Sequence, residues 1–330
     1  MSNDDFAVRL QAVVARHLEP PGTLHDLRQL TGGANRTTWS FDSAAGGARH
    51  QLILQLGGDT EDPVDRIMPH LEPEQDARVM IAASEIGVPA PKVRAILEPA
   101  DGLGRGYITE RVAGETLGAK IVRDEKFAGA RAVMAQQCGE ILAAIHRLEL
   151  PKVPFLMRQD AAAHVAAHRQ VTDYYGLRLP ALDMALKWSA DNAPKNARHT
   201  VVHGDFRTGN LIVGEDGIRC VLDWELAQSG DPMQDLGWLC IRTWRFGGRA
   251  PVGGFGSRED LYASYERASG YPVDPAHVRF WEAFGNVKWV IDCLRLGARG
   301  VEEMGIERCA IGRRIEEPLW DFLNLIEGRD

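Results

Sequence analysis

Residues 203–210 read HGDFRTGN, and 13 positions beyond Asn210 the chain reads DWE, residues 223–225. Phosphoryl transfer asks a protein for a carboxylate to hold the acceptor hydroxyl, oxygen ligands for Mg2+ and donors over the phosphates. Mg2+ takes octahedral oxygen coordination and keeps several waters, so one Asp carboxylate and one Asn amide oxygen are a usual protein share. HGDFRTGN supplies a candidate base, Asp205, and a candidate amide ligand, Asn210, on one loop. DWE supplies a charged ligand, Asp223, at the end of a β-like run, GIRCVLDW, that can hairpin back onto NLIV at 210–213.

These residues need elements to position them. Phe6, Leu10, Val13, Val14 and Leu18 recur at helical spacing and predict an amphipathic helix over 4–18. LHDLRQLTGG, TTWSFDS and HQLILQL then alternate as strands, separated by the turn-like GGANR and AAGGAR. A helix is expected around EPEQDARVMIAASEIG, followed by extended VPAPKVRAIL and the short strand of RGYITERVAG. From about residue 113 the pattern is mainly helical, broken by the β-like TVVHGD, NLIV and GIRCVLDW. The pattern predicts a small antiparallel-strand lobe over 1–112 and a larger helical lobe over 113–330, with a ligand cleft between them.

Composition narrows the function class. A net charge of −8 argues against nucleic acid or an anionic membrane surface as main partner. No stretch of about 20 apolar residues is present to span a bilayer, and the acidic N-terminus lacks a signal-peptide pattern. Five scattered cysteines without CxxC or metal-ligand spacing read as thiols in a reducing compartment. A cytoplasmic protein is expected; the sequence leaves its oligomeric state open.

HGDxxxxN followed by a strand ending in DWE, with TGGANRT, YITERVAG and GDPMQDLGW in order, resembles the aminoglycoside phosphotransferase-like branch of the protein-kinase-like fold. That branch includes choline and homoserine kinases. The resemblance covers most of the chain and implies an α+β fold: a small antiparallel sheet lobe and a larger, mainly helical lobe. It implies Asp205 as base, Asn210 and Asp223 as metal ligands, and His203 and Asp235 as supports of the catalytic loop. It also implies a glycine loop over the phosphates, with Gly32, Gly33, Asn35 and Arg36, and hinge groups at Glu110 and Val112 for a purine. ATP with Mg2+ is the implied donor, GTP the other possibility, and a small-molecule hydroxyl the acceptor.

One position departs from that pattern. The third strand, LILQLGG, carries Gln55 where such lobes hold a Lys or Arg, and Asp76 stands in the acidic slot of the next helix, with Glu72 and Glu74 nearby. Gln offers amide donors but no charge. Either another cation reaches the phosphates, Arg36 being the best placed, or transfer is slow or absent and the chain is a nucleotide-binding pseudokinase. A helical binding protein without nucleotide would leave the motif spacing unexplained.

The acceptor is less legible. Residues 113–330 hold 30 Asp and Glu against 27 Lys and Arg, a net of −3, which is weak support for a polycationic antibiotic. The segment IRTWRFGGRAPVGGFGSRED reads as a mobile, glycine-rich loop in which Arg242, Arg245 and Arg249 suit an anionic acceptor. Glu225 and Trp281 are further candidates for acceptor contact.

Overall fold

The computed structural model describes residues 3–19, 21–30, 36–58, 63–195, 197–300, 302 and 305–329. Thr31 to Asn35 lie outside the described residues, and with them the expected phosphate-loop residues Gly32, Gly33 and Asn35.

Helix α1 (Asn3–His17) precedes strands β1 (Thr23–Leu30), β2 (Arg36–Ala45) and β3 (Ala48–Gly57), which form an antiparallel meander. Gly46 (φ 56°) and Gly47 (φ 84°) close the β2–β3 hairpin, where a two-residue loop requires both residues left-handed. Helix α2 (Pro73–Glu85) and strands β4 (Val93–Ile96) and β5 (Gly106–Glu110) follow, giving the order β1-β2-β3-β5-β4.

Register decides which side chains meet the rest of the molecule. Trp39 pairs with Leu54 and Leu54 with Ile108; Thr38 pairs with Gln55 and Gln55 with Tyr107. Side chains alternate between faces, so these are opposite faces of one sheet. Phe41, Leu52, Leu54 and Ile108 are buried against Phe6, Leu10, Val13 and Val14 of α1. The other face carries Gln55 and Tyr107 toward α2.

The helical part contains α3 (Gly118–Arg123), α4 (Ala128–Ile145), α5 (Ala161–Tyr174), α6 (Pro180–Asn192), α7 (Met233–Cys240), α8 (Arg258–Ser269) and α9 (Pro275–Ala298), with helices Ile306–Ile311 and Glu316–Ile326 packed on α9. Gly139 lets α4 approach α8: a Cβ there would lie 2.6 Å from the Leu261 carbonyl oxygen and 2.8 Å from the Tyr265 nitrogen. Two small hairpin-like sheets frame the HGDFRTGN loop. β6 (Thr200–Val202) pairs with β9 (Gln228–Gly230), and β7 (Leu211–Gly214) pairs with β8 (Gly217–Val221). The β7–β8 hairpin is the expected one. β9 has no apolar alternation to announce it and exists because β6 pairs with it. Among the described residues no helix is long and apolar enough to cross a membrane.

Candidate active site

The loop between β6 and β7 is held from below by Asp235 of α7. Its buried carboxylate accepts the backbone N–H of His203 (2.8 Å) and of Gly204 (2.9 Å) and contacts His146 Nε2 at 3.1 Å. Burial alone would raise this carboxyl; the bond from His146 and the charges and donors around it hold it below the ordinary range. Gly204 has φ 81° and its α-carbon faces the Leu226 carbonyl, so a side chain has neither room nor a comfortable backbone there. His203 is fully buried. Its Nδ1 accepts the Asp205 N–H (3.2 Å), which leaves Nε2 to donate to the Leu222 carbonyl (3.1 Å). Burial lowers its pKa and keeps the ring neutral, and both nitrogens are committed to the loop.

Asp205 sits at the open end of this scaffold. Oδ1 accepts the indole N–H of Trp238 (2.7 Å), and Oδ2 accepts Asn210 Nδ2 (2.7 Å). Arg207 Nε lies 3.1 Å and 3.2 Å from the two oxygens, and its guanidinium stacks on the Trp244 ring at 4.5 Å. Asn210 Nδ2 also donates to the Asp205 carbonyl (2.9 Å). Both bonds use the amide nitrogen, so Oδ1 is the atom left to bind a cation.

Asp223 follows β8 with φ 66° and ψ 62°, a left-handed conformation uncommon outside glycine. Solvent reaches the residue, yet desolvation by the surrounding protein, then the charges of Glu225 and Asp205, push its carboxyl well above the ordinary range. Asp76 adds to this and Arg36 opposes it. Among the described residues no group of three or more His, Cys, Asp or Glu side chains could hold a metal ion. The Asp223 carboxylate and Asn210 Oδ1 are oxygen donors of the kind Mg2+ takes, and would hold it with water as the remaining ligands.

On the sheet side, Arg36 opens β2. It forms an ion pair with Asp76 of α2, donates to the Leu71 carbonyl (3.0 Å) and contacts Glu225 at 3.1 Å through Nε. Burial disfavours its charge, but Asp76, Tyr107 and Glu225 hold it firmly protonated. Gln55 hydrogen-bonds the Tyr107 hydroxyl. Glu72 and Glu74, the alternatives to Asp76, pair instead with exposed Arg105. Glu110 ends β5 paired with Arg94 (2.8 Å), and Val112 lies just beyond, half-buried.

The acceptor expectations need correcting in three places. Trp281 is core: it is 2% exposed, donates its indole N–H to Asp231 (2.8 Å) and packs on His164 and Phe284. Its aromatic type suits an acceptor pocket, but the packing of α9 against His164 of α5 and Asp231 encloses it. Arg245 turns inward, donating to the Cys240 carbonyl (2.9 Å) and approaching buried Glu282 at 3.4 Å. The loop expected to be mobile is pinned: Thr208 Oγ1 contacts the Trp244 and Gly253 carbonyls, and Arg123 donates to the Phe246 carbonyl. Arg242 and Arg249 are exposed, Arg242 lying 3.8 Å from Asp321.

The model of the phosphotransferase enzyme family matches residues 26–281. The chain belongs to that family. A Ralstonia eutropha protein described as a candidate aminoglycoside phosphotransferase superposes with a TM-score of 0.73 at 22% identity, covering 96% of this chain and 97% of its own. A spectinomycin phosphotransferase in complex with ADP and spectinomycin superposes at 0.63 and 14%, covering 96% and 98%. These likenesses establish the protein-kinase-like, two-lobed α+β fold. Among curated sequences, acyl-CoA dehydrogenase family member 10 of Mus musculus is 28% identical over 207 residues, 59% of this chain and 18% of that protein. Acyl-CoA dehydrogenase family member 11 of Homo sapiens is 24% identical over 317 residues, 86% of this chain and 38% of that protein. The chain thus spans a minor part of these relatives.

Sequence reasoning overlooked four residues of this phosphotransferase-family site. Trp238 and Arg207 reach the Asp205 carboxylate directly. Lys288 of α9, 8% exposed, donates to the Gly204 carbonyl (3.0 Å) and lies over the Trp238 ring at 4.2 Å. Tyr107 joins Gln55 to Asp76. Arg207, inside HGDFRTGN itself, was the one a sequence could have flagged.

Proposed function

We propose that the chain moves the γ-phosphoryl group of ATP to a hydroxyl of a small molecule, with Mg2+. Residues 1–112 form the nucleotide lobe and 113–330 the catalytic and acceptor lobe. The observation that carries this reading is the Asp205 carboxylate, fixed by Trp238, Asn210 and Arg207 beside the Asp223–Glu225 segment. Asp205 accepts the hydroxyl proton as the acceptor oxygen bonds to the γ-phosphorus and the bond to the bridging oxygen breaks, giving a phosphate monoester and ADP. Asn210 and Asp223 would hold Mg2+, which would supply positive charge to the phosphates. The ADP-bound family neighbour supports ATP ahead of GTP.

Arg242 and Arg249, exposed on the pinned loop, support an anionic acceptor. The names of the curated relatives make a hydroxyl-bearing acyl-CoA the first class to screen. Calorimetric titration with ATP, with and without Mg2+, tests the reading. Mg2+-dependent binding is expected. Absence of binding by ATP and by GTP would overturn the reading; binding without transfer to any hydroxyl compound would favour the nucleotide-binding pseudokinase, for which Gln55 in the usual cation slot is the specific argument.

A further inference from the structure

The cation that the third strand lacks is present, carried by another strand. Arg36, Gln55 and Tyr107 lie on one face of adjacent strands, since Arg36 and Thr38 are two residues apart on β2, Thr38 pairs with Gln55, and Gln55 pairs with Tyr107. Arg36 and Tyr107 converge on Asp76, which is 1% exposed, and Gln55 meets Tyr107. Tyr107 donates to Asp76 Oδ2 at 2.7 Å, and Arg36 Nη1 lies 3.3 Å from the same hydroxyl. A hydroxyl has one proton, and a carboxylate is a stronger acceptor than an amide. The Tyr107 hydroxyl also meets the Gln55 amide oxygen, so its one proton is shared between that oxygen and the Asp76 carboxylate, the stronger acceptor. A buried carboxylate without a cation would be strongly destabilising, so Arg36 is bound to stay. Its last charged contact, Glu225, belongs to the segment that carries Asp223.

Resting on the phosphotransferase reading, we propose that Arg36 is the phosphate-binding cation of the small lobe, with Tyr107 as the residue that positions it. Gln55 is then the partner of Tyr107 and not the scar of a lost lysine. Glu225 caps Arg36 until a nucleotide phosphate takes its place, and Asp76 remains the anchor throughout. Asp76 Oδ1 is buried without a hydrogen-bond partner among the described residues, so the network retains capacity for one more donor.

The test measures binding of Mg·ATP and of adenosine to the wild type, Arg36→Ala, Tyr107→Phe and the double variant Arg36→Ala/Gln55→Lys, with thermal unfolding alongside. Arg36→Ala is expected to weaken Mg·ATP about 10- to 100-fold and leave adenosine within about 2-fold. Tyr107→Phe should weaken Mg·ATP about 3- to 10-fold, again without adenosine following. A lysine at position 55, in the strand position that pairs with Tyr107, should restore about 10-fold to Arg36→Ala. A merely structural role would move ATP and adenosine together, and that result overturns the inference, as does unchanged Mg·ATP affinity. If Arg36→Ala does not fold, Tyr107→Phe decides by the same ratio. Failure of the wild type to bind Mg·ATP would bring down the phosphotransferase reading itself, and this inference with it.

Discussion

The indole N–H of Trp238 donates to Asp205 Oδ1 at 2.7 Å, tying the candidate base to helix α7. The same helix supplies Asp235, which holds the backbone of His203 and Gly204. Side chain and backbone of the loop thus share one rigid support. General acid–base catalysis depends on such fixed geometry, because a small displacement of the base is felt in the rate.

Asp205→Asn keeps the shape and removes the base. It should lower transfer by about 10²–10⁴-fold while Mg·ATP affinity stays within about 3-fold. Trp238→Phe should reduce kcat by about 10-fold, again without loss of nucleotide, since it loosens a positioned group. Steady-state kinetics with any accepted hydroxyl compound, paired with calorimetry, checks both. Undiminished turnover by Asp205→Asn would remove Asp205 from the reaction.

Asp223→Asn should act on the metal. Titration of ATP with and without Mg2+ should show the gain from Mg2+ reduced by about 10-fold or more, because a neutral amide is a weaker ligand than a carboxylate. Full retention of that gain would mean that Mg2+ is held elsewhere.

Stability should fall in mild acid. His168 is buried against His164 and the edge of Phe284, with Asp292, Lys288 and Arg295 the charges near it, and its Nε2 has no hydrogen-bond partner among the described residues. Burial is the main cause that takes its pKa down from 6.5 to about 4. Between these values the unfolded chain binds a proton that the folded chain does not, so stability drops as pH falls through that window. The effect is about 2 kcal/mol by pH 5, from 1.36 kcal/mol per unit. Urea midpoints at pH 7 and pH 5 should fall less for His168→Leu than for the wild type. Equal falls would assign the acid sensitivity to other groups.

Glu282 is a buried carboxylate clamped by Arg258 at 2.8 and 3.0 Å and approached by Arg245 at 3.4 Å. Arg258→Ala should destabilise by about 3–5 kcal/mol, because it leaves most of that charge uncompensated. Arg245→Ala should cost about 1–2 kcal/mol, the loss of its bonds to the Cys240 carbonyl and of a weaker contact to Glu282. Thermal unfolding orders the two; a larger loss for Arg245→Ala would reverse the assignment.

What the sequence by itself determined was local and periodic. Helical spacing placed α1, a helical stretch is legible where α2 lies, and alternation placed β1, β2 and β3, because the backbone repeat is local to each element. The spacing of HGDFRTGN and DWE was readable because a loop and a hairpin bring those residues together over a short stretch of chain. The tertiary structure decided the partners. Arg36 meets Asp76 across 40 positions and Tyr107 across 71, and Trp238 meets Asp205 across 33. It buried Trp281, turned Arg245 inward and made a strand of residues 228–230. A side chain's type says what it can bind, but which of several arginines or tryptophans reaches a given carboxylate depends on how the elements carrying them pack, and no local pattern records that.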